Sequence, residues 1–270
     1  MPADALGLAL AAAVVHAFWN VGLARARDPE AATALAFLVA IIVWAPFAVA
    51  RWDVDGAAWP YIAGSAAFEA AYVVLLGTAY ARADLSLVYP VARGTAPVLV
   101  LAVAALALGA ATSWRQGAAV CAVGAGVLLV RGRRPEGRGS AFGLAIAVCI
   151  AGYTLVDNSG VEHADPITYL WLVMIVPTLL YLGVVRLRRP GALRAGLTPS
   201  LILVGPATLG AFALALSALE RAPAAPVAAV RETSVLLVTA AAALLLRERV
   251  SPWRAAGAAL VVAGVVVLGL

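Results

Sequence analysis

Lysine is missing altogether. All 19 basic residues of this 270-residue chain are arginine, and charged residues of both signs make up only 12% of it, about half of the roughly 25% usual in soluble domains. Histidine and cysteine are scarcer still, with two of each. These shortages exclude kinds of chemistry. Cys121 and Cys149 both sit in apolar runs without CxxC or histidine spacing, so neither a disulfide framework nor a metal site follows from them, and they read as inert buried thiols. The histidines, His16 and His163, form no HExxH, and no GxSxG turn or paired-carboxylate motif occurs. An intramembrane enzyme would need such a nucleophile and base, or a metal triad. No cofactor is implied. The missing lysine, with the heavy use of alanine, reads as the compositional bias of a GC-rich bacterial genome.

What is abundant is apolar surface. Hydrophobic residues make up 64% of the chain and the mean hydropathy is +0.99, which defines an all-α integral membrane protein. A membrane-crossing helix needs about 20 largely apolar residues. Ten such runs occur, at roughly 5–24, 31–50, 58–80, 86–110, 113–130, 140–159, 166–185, 200–220, 224–246 and 252–270. The gaps between them are short and hold the charges, as in RARDPE, RWDVDG, RGRRPEGRG and RLRRPGALRAG. Trp52, Trp59, Trp114 and Trp253 fall at run ends, where aromatic belts lie. The first run follows Asp4 and no basic stretch, and it is too long for a signal-peptide core, so it reads as a retained span. Because the arginines form no patch or arm, the basic charge argues for membrane topology and against nucleic acid.

The two halves echo each other. Gly7-Leu-Ala opens the first run and Gly143-Leu-Ala the sixth; Asp28-Pro29 precedes the second run and Asp165-Pro166 the seventh. At nearly the same spacing, AYARA (79–83) parallels ALERA (218–222), ARGT (92–95) parallels VRET (230–233), and SWRQGAAVCAVG parallels SPWRAAGAALVVAG. In the last pair Gly117 and Gly124 match Gly257 and Gly264, small residues on one helical face where helices approach closely. Five spans in each half is an odd number, so the second copy enters the bilayer from the opposite side. The expected architecture is ten transmembrane helices as two inverted five-helix repeats, 1–135 and 136–270, with a site where the halves meet. Both repeats in one chain are compatible with a monomer.

The arginines concentrate in the loops after odd-numbered spans, while Arg51, Arg115 and Arg221 occupy the others. The positive-inside rule then makes the odd loops cytoplasmic and places both termini outside.

Ionisable residues inside spans are costly and usually line a cavity or pair with one another. His16, Glu69, Arg93, Asp157, Arg231 and Glu232 are the candidates. Arg93 and Arg231 hold matching places in the repeats, each followed two residues later by Thr95 or Thr233. Either they pair with Glu232, Glu69 or Asp157 to lock helices, or they attract an anionic or zwitterionic substrate through the guanidinium fork. Pro90, Gly94 and Pro97 predict a kink in span 4, and Pro226 another just before Arg231. Glu69, with Tyr72 on the same face, is the leading candidate proton carrier, and Glu232 joins it; a permanent ion pair with arginine is the competing role. For Asp157, near the end of span 6, helix capping at the interface competes with a proton relay. His16, Trp19 and Asn20 in HAFWN share one helical face that points into the bundle, for substrate contact or for hydrogen bonds between helices. Tyr89 and Tyr153 are further lining candidates, with packing as their alternative.

HAFWN, AYARADLSLVYPVARGTAPV, GYTLVD and LRERVSPWRAAGAALVVAGVVVL together resemble the EamA-type branch of the drug/metabolite transporter superfamily, over essentially the whole chain. The resemblance implies ten helices in a bacterial inner membrane and secondary transport, often export, of small metabolites. One departure is visible: the first half has LGAATS where the second has LRERVS, so that turn's glutamate is present only as Glu248. The expected function is a secondary active exporter of a small polar metabolite, amino-acid-like or bearing a carboxylate or phosph(on)ate, with proton coupling. A non-transporting scaffold or sensor subunit is the alternative, against which the matched intramembrane arginines argue.

Overall fold

A computed structural model describes residues 1–82, 85–131, 138–237, 240 and 252–269. The described chain is helical: α1 (Ala3–Ala24), α2 (Pro29–Ala50), α3 (Ala58–Arg82), α4 (Leu85–Leu106), α5 (Trp114–Arg131), α6 (Arg138–Gly160), α7 (Pro166–Arg188), the short α8 (Ala192–Gly196), α9 (Leu201–Leu219), α10 (Ala224–Arg231) and α11 (Pro252–Gly269). Six helical stretches are by themselves long and apolar enough to cross a membrane: Ala3–Leu23, Pro29–Ala50, Ala58–Leu76, Gly139–Gly160, Pro166–Arg188 and Leu201–Leu219. Shorter apolar stretches lie at Val91–Leu106, Trp114–Leu129 and Ala255–Leu268. The ninth apolar run of the sequence is described over 224–237 and at 240, and its remaining residues lie outside the described ones, as does Glu248.

Burial is inverted relative to a soluble protein. Phe18, Ile42, Phe47, Val176, Leu179, Ile202 and Val262 are exposed, whereas Glu69, Arg93, Asp157, Arg231 and Glu232 are buried. Apolar side chains on the outside are what lipid solvates, and buried charges then face one another across the helix bundle.

Small residues set the closest crossings. A Cβ on Gly124 would stand 2.6 Å from the Gly94 carbonyl, and one on Gly94 would meet Gly124 and Leu128, so α4 and α5 approach backbone to backbone. Gly126 lies against the Gly257 carbonyl and Val261, and Gly264 against Val123 and the Ala119 carbonyl, which fixes α5 and α11 as antiparallel neighbours. Of the two matched glycine pairs, Gly124 and Gly264 do pack in this way. Gly117 does not, because nothing lies within 4 Å of where its side chain would be.

The neighbours of the two halves correspond. Helix α1 packs on α9 and α3 on α6; α2 packs on both α9 and α7, and α3 on α7; α4 packs on α5 and α6, while α10 contacts α1 and α11. At the centre α2 and α7 run antiparallel and are joined at both ends by the same device. Asp28 caps α2 by accepting from the Ala31 N–H and pairs with Arg189, just beyond α7. Asp165 caps α7 by accepting from the Ile167 and Thr168 N–H groups and pairs with Arg51, just beyond α2, at 2.7 Å. Proline follows each aspartate at the first helical position, where its missing N–H costs nothing. The amino terminus donates to the Leu268 carbonyl at 3.0 Å, so the two ends of the described chain lie together.

Candidate functional site

Helices α1, α2, α3 and α7 enclose a cavity of about 540 Å³. Its mouth carries Arg27, Asp28, Glu30 and Arg189, and its walls include Trp19, Asn20, Phe37, Tyr72 and Tyr181. The stripe on HAFWN thus does face the bundle: Trp19 and Asn20 line the cavity, while His16, one turn away, meets the Trp19 ring edge-on at 4.8 Å. Asn20 Nδ2 donates to the His16 carbonyl at 2.7 Å. The Nδ1 atom of His16 and the Nε1–H of Trp19 are buried without a hydrogen-bond partner among the described residues.

One helical turn from the cavity wall, where Glu69 stands behind Tyr72, lies a cluster of buried charges. Arg93 Nε is 3.1 Å from Glu232 Oε2, an ion pair between α4 and the end of α10. Of the possible partners for Arg93, Glu232 therefore takes the role, and Glu69 does not. The guanidinium of Arg231 stacks on Phe212 with 5.3 Å from Cζ to the ring centroid, and Phe212 in turn meets Tyr153 at 6.5 Å. Such a cation–π contact is strongest where water is excluded. Glu69 lies within electrostatic reach of Asp157 and Arg231 and forms no ion pair among the described residues. His16 feels the charge of both arginines. The cluster draws Arg93, Arg231, Glu69, Asp157, Glu232, His16 and Tyr153 into one region, whereas Trp19, Asn20 and Tyr72 reach the cavity itself. Tyr89 is on α4, but its side chain lies outside the described ones.

Two local expectations, the cap at Asp157 and the break at Pro226, need correction. Asp157 is not an interfacial cap: α6 continues to Gly160, and the buried carboxylate accepts from the Tyr169 hydroxyl at 3.0 Å. Helix α4 runs unbroken through Pro90 and Pro97. Gly94 is required there for the close crossing with α5, and Pro97 lacks the N–H that would bond the Arg93 carbonyl. In the second half the helix is interrupted at Glu232, after Arg231, and resumes over 233–237. Pro226 lies in the first turn of α10, where no intrahelical donor is needed.

At the end of the bundle opposite the cavity mouth, contacts tie the connecting segments together. Thr168 Oγ1 donates to the Ala48 and Arg51 carbonyls at 2.9 and 3.1 Å, Val54 forms an antiparallel bridge with Ala164, and His163 stacks on Tyr61 at 5.5 Å. Partial burial pushes the Asp165 carboxyl upward, but the Arg51 guanidinium and the N–H groups of Thr168 and Ile167 outweigh it and hold the group below the usual carboxylate range.

Sequence reasoning missed Phe37, Tyr181, Arg27 and Arg189 at the cavity, and Tyr169 and Phe212 at the cluster. Asp28-Pro and Asp165-Pro were legible as a repeated pair, but nothing local in the sequence says that each aspartate reaches an arginine at the far end of the other half. The aromatic residues carry no signal that separates them from ordinary packing.

Buried charge beside an open, aromatic-walled cavity in an apolar helix bundle is the arrangement of a multi-pass membrane protein. Residues 137–270 match the model of the EamA-like transporter family. The second half of the chain is therefore an EamA-like domain, which places the protein among membrane transporters of the drug/metabolite transporter superfamily. A solved structure titled only as the crystal structure of a protein shares the fold, with a TM-score of 0.80 and 20% identity over 99% of this chain and 98% of the other. No curated protein sequence matches the chain.

Proposed function

We propose that the protein is a secondary active exporter of a small polar metabolite, amino-acid-like or bearing a carboxylate or phosph(on)ate, working by alternating access in the inner membrane. The observation that carries this reading is the cavity of about 540 Å³ open at one end of the bundle, with the opposite end tied across by the Arg51–Asp165 pair and the Val54–Ala164 bridge. A cavity open to one side and closed to the other is half of an alternating-access cycle.

Ten spans in two inverted repeats, 1–135 and 136–270, make the other half of the cycle the mirror of this one. The corresponding helix neighbours and the reciprocal aspartate–arginine pairs on α2 and α7 support that symmetry. The adjacency of Met1 and Leu268 supports an even number of crossings. The arginine distribution puts both termini outside and the cavity mouth in the cytoplasm, where an exporter loads. A reporter active only in the cytoplasm should be silent when fused to the C-terminus, and strong activity there would overturn the orientation.

Trp19, Asn20 and Tyr72 contact the substrate in this open state, and Tyr89 joins them as the helices move. His16, Tyr153, Arg93 and Arg231 supply the charged floor against which the substrate settles. Glu69, with Asp157, carries the proton that couples the cycle to the membrane gradient, since a carboxylate with no ion-pair partner among the described residues can change charge at modest cost; Glu232 joins the relay only when its pair with Arg93 opens. The protein acts as a monomer on a small-molecule substrate, and nucleic acid is no partner. A thermal-shift screen of the purified protein against amino acids and organic acids identifies ligands of the folded state, and counterflow in proteoliposomes then tests the hits. Ligands that stabilise the protein yet never cross the bilayer would refute the proposal.

A further inference from the structure

Tyr169 belongs to two structures at once. It stands in the first turn of α7, where its N–H donates to the carbonyl of the capping Asp165 at 2.8 Å. That turn is the one held to the end of α2, since Asp165 takes Arg51 and Thr168 Oγ1 donates to the Ala48 and Arg51 carbonyls. The Tyr169 side chain runs the other way, into the bundle. It is fully buried, and its hydroxyl donates to Asp157 Oδ1 on α6 at 3.0 Å. Gly160 makes room for this reach: a Cβ there would stand 2.5 Å from the Tyr169 ring and hydroxyl oxygen, so the ring crosses the last turn of α6 with no side chain between them.

The carboxylate that Tyr169 reaches belongs to the buried charge cluster. Glu69 on α3 and Arg231 at the end of α10 act on Asp157 through their charge, and Tyr153 lies near it on its own helix. Arg93 on α4 is taken by Glu232. The Ser65 hydroxyl, on α3, is buried beside the same carboxylate and completes no hydrogen bond among the described residues, so a second donor stands ready if the tyrosine leaves. A hydrogen bond to an ionised carboxylate is roughly twice as strong as one between neutral groups. The Tyr169 contact therefore weakens when Asp157 takes a proton, and the first turn of α7 loses an inward anchor.

We propose that Tyr169 is a positioning residue that carries the charge state of Asp157 to the tied end of the bundle. The ionised carboxylate holds the first turn of α7 against α6 and so keeps its contacts with α2; a proton on Asp157 frees the turn. The latch itself needs only this geometry, while its use in coupling rests on the transport reading. An exchanger that moves protons one way and substrate the other must not change sides when it holds neither. A turn locked by the ionised, empty site prevents that slip.

Thiol labelling tests it on the full-length protein carrying Val54→Cys, its two native cysteines replaced, at one mildly alkaline pH. Asp157→Asn stands in for the protonated group, and Tyr169→Phe keeps the ring over Gly160 but lacks the hydroxyl. Each should raise the labelling rate at least about threefold, the scale of one lost hydrogen bond to a charged group. The double variant should gain no more than either alone, because both remove the same contact. In proteoliposomes without substrate, Tyr169→Phe should also dissipate an imposed pH gradient faster than the unaltered protein, a gain that lost packing alone does not produce. Unfolding midpoints certify the folded state, and if Tyr169→Phe does not fold, the labelling of Asp157→Asn decides. Unchanged labelling in Asp157→Asn or additive gains in the double variant would overturn the inference. Where counterflow is active, a pH gradient held equally well by Tyr169→Phe would do so too. With counterflow intact, these outcomes sink only the inference. Faster labelling in both single variants with no flux of any ligand supports the latch and sinks only the transport reading.

Discussion

The Arg93 guanidinium on α4 and the Glu232 carboxylate at the end of α10 meet at 3.1 Å with both side chains more than nine-tenths buried. Two sequence-distant helices from different halves are thereby tied at a point where neither charge reaches bulk water. Removing one partner leaves the other charge buried and uncompensated, which costs about 3–5 kcal/mol, while replacing both by apolar residues of similar size is often nearly neutral. Arg93→Leu and Glu232→Leu should each lower the unfolding midpoint sharply, and the double variant should recover most of the loss. A double-mutant cycle on thermal unfolding measures the coupling; additive losses would show that the pair contributes nothing jointly.

The α5–α11 seam offers a paired test of packing. Gly126→Leu should destabilise by about 1–3 kcal/mol, because its side chain must enter space held by Gly257 and Val261. Gly117→Ala, on an open part of the same helix, should be neutral or stabilising by up to about 1 kcal/mol through backbone entropy. Unfolding midpoints in one detergent compare the two directly.

Acid should loosen the tied end. The Asp165 carboxyl is held below its ordinary value, so its contribution is fully present above the unfolded-state pKa of about 3.9 and is lost as pH falls through the lower folded value. With Cys121 and Cys149 replaced, a cysteine at Val54 should react slowly with an impermeant thiol reagent at neutral pH and, once each rate is divided by that of a free model thiol at the same pH, faster below about pH 4. Asp165→Ala should speed the reaction at neutral pH and also cost about 1 kcal/mol as a lost helix cap. Equal rates in all conditions would mean the pair does not close that end.

Glu69→Gln keeps the shape of the site but cannot release a proton. In proteoliposomes it should retain ligand counterflow and lose the stimulation of net flux by an imposed pH gradient. A gradient response equal to that of the unaltered protein would remove Glu69 from the coupling route.

The helices and the inward turn of the polar residues were legible because lipid imposes a simple rule: long apolar stretches cross, and ionisable groups within them face protein. His16, Glu69, Arg93, Asp157, Arg231 and Glu232 all obey it. Which of them pair was not legible, since Arg93 reaches Glu232 only through the packing of α4 on α10. Asp157 was misread for a related reason. Its position near a helix end suggested an interface, yet Tyr169 from the next helix covers it. Arg27 and Arg189 looked like ordinary loop charges, and only the geometry of the mouth shows that Arg189 reaches both Asp28 and Glu30.

Asp28 and Asp165 each serve a helix N-terminus and an arginine at once. When a clasp lets go, its carboxylate is not stranded, because the backbone N–H groups and the positive end of the helix still hold it. The released arginine enters water at the surface. Neither half of the broken contact is left as an isolated charge in a dry place, so parting is cheap to repeat. The proposed cycle requires a fastening of this kind, unlike the Arg93–Glu232 tie, whose separation would strand a charge in the bundle.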